Sequence, residues 1–129
     1  MSEPPEHVSI IVRVAEFPHL FAFLTHEARQ DKWFFPTGKV EPNETKLDAA
    51  NRELREETGL KLPNNLTLKE VDNYEVIQNG AVISHTTLFA VDVPFKHFSR
   101  INFRDKEVAR AMAKNLVDNT PVADLNALN

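Results

Sequence analysis

Near the start of the chain, in HVSIIVRV (His7 to Val14), Val8, Ile10, Val12 and Val14 alternate with Ser9, Ile11 and Arg13. A period of two predicts a strand with one buried face. EFPH then reads as a turn, LFAFLTH (Leu20 to His26) as a second strand, and the charged EARQDK (Glu27 to Lys32) as a loop leading into WFFP. Between Thr45 and Thr58 the period lengthens, with Leu47, Ala50 and Leu54 at i, i+3 and i+7, which predicts a helix with a narrow apolar stripe. Thr45 with Asp48 has the form of a capping box at its start, and Gly59 is placed to end it. KLPNN follows as a loop. LTLKEVDNYEVIQ and AVISHTTLFAVDV then predict two long strands around a tight turn at Asn79 and Gly80. Val108, Ala109, Met112, Leu116 and Val117 suggest a closing helix from about Asn102 to Asp118. Strands on both sides of a central helix, with a helix at the end, predict one domain over residues 1–129 of α/β (α+β) class or a layered α/β/α sandwich.

Composition agrees with one packed core: 42% of the 129 residues are hydrophobic and 26% charged. No apolar run reaches membrane-spanning length, and MSEPPEHVS is acidic and proline-bearing, unlike a signal or transit peptide. A cytoplasmic address without membrane contact is the expectation. With no cysteine, disulfides and thiolate chemistry are excluded, so any metal must sit on oxygen or imidazole. The formal net charge of −4 disfavours a surface built for long nucleic acid. A small polyphosphate remains compatible with it where divalent cations bridge the negative groups.

That condition draws attention to RELREETGL, residues 52 to 60. Glu53, Glu56 and Glu57 stand at i, i+3 and i+4 and therefore share a helix face. Spacing alone leaves two readings open. A like-charge pair on an exposed helix costs only ~0.2–0.5 kcal/mol, so a solvated charged face is as admissible as a metal site.

The longer pattern distinguishes the cases. Gly38 is followed by five residues, then Glu44, then seven residues, then Arg52, Glu53, Leu54, one residue, Glu56, Glu57, one residue, Gly59 and Leu60. This resembles the Nudix box, complete from Gly38 to Leu60. The resemblance implies a hydrolase that cleaves a nucleoside diphosphate linked to another moiety, by attack of water on phosphorus, with Mg2+ or Mn2+ as cofactor. It also implies the family's α/β/α sandwich, a mixed sheet between helices. On the matching positions it implies Glu56 and Glu57 as metal ligands, Glu53 as a ligand or water-orienting base, and the Gly38 carbonyl as a further ligand. Glu44 would help structurally or through water, and Arg52 would hold a carboxylate through paired hydrogen bonds.

Outside the box the pattern is less specific. Thr37 stands where many members have a glycine, and the resulting Pro-Thr-Gly resembles members acting on dinucleoside polyphosphates, RNA caps or RNA 5′ ends. Lys39, Trp33, Tyr74 and Arg100 are the candidate substrate contacts, although Trp33 and Tyr74 fit core and strand packing equally well. Phe95 to Lys106 interleaves aromatic and basic residues, which suits either nucleotide binding or a solvated loop over buried phenylalanines. Asp105 and Glu107 are the candidates for a distal base. A small nucleotide is the expected partner, with RNA as the alternative. A non-catalytic nucleotide- or RNA-binding module is the competing class, and the expected state is a monomer or homodimer.

Overall fold

The computed structural model describes residues 3–18, 20–26, 29–98, 108–115 and 120–124, with side chains placed for 3–18, 20–22 and 35–98. Ten elements follow in chain order: β1 (Glu6–Val14), β2 (Leu20–His26), β3 (Arg29–Phe34), β4 (Thr37–Lys39), α1 (Lys46–Thr58), β5 (Lys69–Gln78), β6 (Ala81–Val93), α2 (Phe95–Phe98), β7 (Val108–Asn115) and β8 (Thr120–Asp124). The strands form a mixed sheet in the order β5-β6-β1-β2-β7-β8, with β4 also on β1 and β3 also on β2. Among the described strands only β1 and β6 run parallel, in register from Glu6↔His85 to Val14↔Val93. No helix of the described residues is long and apolar enough to cross a membrane.

The alternation in β1 does what its period demands. Val8, Ile10, Val12 and Val14 are fully buried on the face that α1 covers with Ala49, Ala50 and Leu54, and Phe89, Val91 and Val93 of β6 extend that layer. Each such aliphatic side chain contributes ~1.5–3 kcal/mol by leaving water. The α1 ends match their signals. Asp48 N–H donates to the Thr45 hydroxyl at 3.0 Å, the Asp48 carboxylate accepts from Thr45 N–H, and Gly59 ends the helix at φ 73°. Asn79 and Gly80 both have positive φ, which joins β5 to β6 through the tight turn that this pair favours.

Two expectations are corrected. Part of the charged stretch expected as a loop is strand, because residues 29–34 pair antiparallel with β2 and satisfy backbone groups that a loop would leave to water. The closing helix over 102–118 is replaced, within the described residues, by β7 and β8. Leu20↔Asn115 through His26↔Val108 complete the outer ladder of β2. Val108, Arg110, Met112 and Lys114 alternate with three alanines, so the stretch carries a period of two as well as 3.6. The sheet edge decides between them. Residues 102–107 and 116–118 lie outside the described residues.

Candidate active site

The box places its residues where α1 meets β4. Capped at Thr45 and lying across β1 and β4, the helix turns Ala50 and Leu54 into the core, so positions three to four residues on from them face the sheet edge. The three glutamates therefore differ. The Glu53 side chain is 12% exposed, Glu57 is buried, and the Glu56 side chain is 52% exposed. A purely solvated face does not bury Glu57 and leave the Glu53 side chain only 12% exposed.

Gly38 lies opposite Val8 in the β1–β4 ladder, so its Cα turns toward α1. A Cβ added there would overlap the Glu53 carboxyl group, which rests directly on the glycine backbone. A side chain at position 38 would therefore displace the Glu53 carboxyl group from where it sits. Glu57 follows Glu53 one turn along the same helix face. Burial raises the Glu53 pKa, against the opposing effect of Arg52.

Arg52 organises the remaining charges. Its Nε and Nη2 donate to the two oxygens of Glu44 at 2.8 and 3.0 Å, Nη2 also donates to the Lys39 carbonyl at 2.8 Å, and Nη1 donates to Glu53 at 2.7 Å and Glu56 at 3.3 Å. The fork holds β4, the loop before the helix and the helix together. Its hydrogen bonds lower the Glu44 pKa to about 2, helped by the Glu41 backbone N–H. Among the described residues no three acidic or imidazole side chains already converge on one point. Arg52 holds the Glu44, Glu53 and Glu56 carboxylates near one another. The donor set is all oxygen, which suits a hard divalent cation.

The remaining candidates separate. Lys39 is in β4, exposed beside the site, and contributes its carbonyl to Arg52. Tyr74 is 46% exposed on β5, two strands from β1, and borders a different cleft of about 340 Å3 with Glu6, Lys46 and His85. Trp33 lies in β3, whose side chains are not described. Arg100, Asp105 and Glu107 lie outside the described residues. A wider cleft of about 540 Å3, lined by Ile11, Phe21, Val71 and the Arg13–Asp92 ion pair, contains no box residue and so does not hold this chemistry. Sequence reasoning passed over His7 and Ser9. The odd positions of β1 face away from α1 beside β4, where Ser9 and Thr37 hydroxyls lie 3.1 Å apart and, among the described residues, His7 Nδ1 is buried without a partner. Their signal was polarity at alternate positions of an otherwise apolar strand.

Comparison with known proteins adds a family. Residues 4–117 match the NUDIX domain. A Bacillus subtilis protein provisionally named as an 8-oxo-dGTP diphosphatase, YtkD, is 38% identical over 89 residues, covering 69% of this chain and 51% of that one. An RNA pyrophosphohydrolase of Halorhodospira halophila is 64% identical over 33 residues, covering 26% of this chain and 18% of its own. The crystal structure of a Bacillus subtilis pyrophosphohydrolase superposes with a TM-score of 0.59 at 29% identity, covering 88% of this chain and 64% of that one. The matched part of this chain thus spans about half the length of the first curated relative and less of the second.

Proposed function

The chain belongs to the NUDIX domain family, and on that premise we propose that it is a divalent-metal-dependent pyrophosphohydrolase acting on small nucleotides. The observation that carries this reading is Glu53, 12% exposed and packed on Gly38, one turn from buried Glu57 and braced by Arg52. Carboxylates packed this way fit a cation better than a solvent-facing helix.

Glu53, Glu56, Glu57 and the Gly38 carbonyl would hold Mg2+ or Mn2+. When bound, the metal supplies charge neutralisation for the phosphate oxygens and acidifies water. In the reaction, water adds to phosphorus, the bridging oxygen leaves with its electron pair, and one proton is released. Glu53 is suited to receive that proton, because its burial favours the neutral form. Arg52 would keep Glu53 oriented, whereas exposed Lys39, paired with His7, would meet substrate only from the sheet face opposite α1. A cytoplasmic address accompanies this reading.

Dinucleoside polyphosphates or nucleoside triphosphates come first: Pro36-Thr37-Gly38 resembles the dinucleoside polyphosphate members, and the net charge of −4 disfavours a long polymer. The diphosphatase name of the 38% identical relative points the same way. RNA 5′-end hydrolysis is the second reading, favoured by the local identity of 64% to an RNA pyrophosphohydrolase. The purified chain, given diadenosine polyphosphates, ordinary and oxidised nucleoside triphosphates and a short 5′-triphosphorylated RNA with Mg2+ or Mn2+, should release phosphate or nucleotide and stop on chelation. Turnover that persists in excess chelator refutes the metal dependence. No turnover on any substrate favours a binding module. A salt series separates the two substrate readings, since single-stranded polymer binding falls with a log–log slope of about −0.7 per phosphate contact.

A further inference from the structure

β5 ends the sheet: among the described residues it pairs with β6 on one side and with nothing on the other. All ten of its residues are exposed, including Val71 at 54%, Tyr74 at 46%, Val76 at 37% and Ile77 at 63%. A long free edge carrying apolar side chains is a template for another strand, and monomeric proteins usually blunt such edges with lysine, proline or a bulge. Here the one lysine of β5 lies at its end, at Lys69, the pairing with β6 shifts register around Val71 and again between Val76 and Ile77, and the stretch from Asp72 to Gln78 contains neither lysine nor proline.

We propose that this edge is a homodimer interface, in which β5 strands of two copies pair antiparallel about a twofold axis at Tyr74. The sequence of β5 is self-complementary in that register. Tyr74 meets Tyr74, Asn73 meets Glu75, Asp72 meets Val76, Val71 meets Ile77 and Glu70 meets Gln78, so no like charges stand directly opposite. Neighbouring registers are worse. An axis at Glu75 sets two carboxylates face to face, one at Asn73 sets Val71 and Val76 against glutamates, and one at Val76 sets Ile77 against Glu75 and runs Asp72 into the turn at Gly80. A twofold normal to the sheet keeps equivalent side chains on the same face, so the two sheets become continuous and both α1 helices lie on one side. The partner is therefore a second copy of this chain.

Sedimentation of the full chain over a range of concentrations tests this. The expected species has twice the 14.7 kDa chain mass. Tyr74→Glu and Tyr74→Lys each place like charges opposite at the axis and should weaken association at least about tenfold, whereas an equimolar mixture should restore it. In the wild-type chain, hydrogen exchange at the β5 amides should slow as concentration rises, a readout independent of any variant. A wild-type chain that stays at 14.7 kDa without concentration-dependent protection of β5 overturns the proposal. So does a dimer indifferent to both Tyr74 substitutions. Protection of β5 at every concentration in a monomer also overturns it, since another segment of the same chain would then cover the edge.

Discussion

Replacing Arg52 with alanine removes the cation around which the site is built, and its cost can be worked from the contacts. The side chain is 20% exposed and Glu53 12% exposed, so their 2.7 Å pair lies between a surface pair, at ~0.2–1 kcal/mol, and a buried one, whose rupture costs ~3–5 kcal/mol. Adding the hydrogen bond to the Lys39 carbonyl, about 2–3 kcal/mol should be lost at neutral pH. At this chain length 1 kcal/mol corresponds to about 3–4 °C, so the melting temperature should fall by about 7–11 °C. The loss should also depend on pH. Glu44 has its pKa lowered to about 2 in the folded chain against 4.5 ordinarily, chiefly by Arg52. Its contribution is therefore present above about pH 4.5 and lost as pH falls toward 2. Scanning calorimetry of both proteins without metal should show the gap narrowing from pH 6 to pH 3. Arg52→Lys should recover only part of the loss, since an ammonium cannot span Glu44, Glu53 and the Lys39 carbonyl as a fork does. A drop under about 2 °C, or a gap of the same size at pH 6 and pH 3, would refute the role given to this arginine.

Gly38→Ala should fold poorly or shift Glu53, with ~1–3 kcal/mol lost to overpacking and turnover reduced, because the new methyl group overlaps the Glu53 carboxyl; a wild-type melt with wild-type turnover would contradict the contact. Glu56→Gln and Glu57→Gln should each lower kcat by at least ~10²-fold with the metal-free melt unchanged or raised, and near-normal turnover in either would remove that residue from the ligand set. Thr45→Ala should cost ~0.5–2 kcal/mol in a denaturant titration by leaving Asp48 N–H without its cap, and an unchanged midpoint would count against the capping box.

The helix and its boundaries were legible in the chain because they rest on local chemistry: the Thr45–Asp48 box, the 3.6-residue stripe and Gly59 act over a few residues each. So were β1, β2 and the β5–β6 hairpin, where strand-forming runs and the Asn79-Gly80 turn mark the strands, but not the register shifts of β5–β6 around Val71 and between Val76 and Ile77. The box also named its carboxylates, but three glutamates that look equivalent by spacing are one buried, one largely covered and one exposed group. That difference arises only when β4 brings Gly38 under Glu53. The partners of Arg52 were visible only in part, since the Lys39 carbonyl comes within reach through the pairing of β4 with β1. Residues 29–34 and 108–115 are strands for a reason no local window contains: their backbone groups complete the ladders of β2, so the sheet overrides a charged composition in one case and an alanine-rich pattern in the other. Periodicity and caps fix what a segment does with its own neighbours, and tertiary structure fixes which backbone edge or carboxylate it meets from elsewhere in the chain.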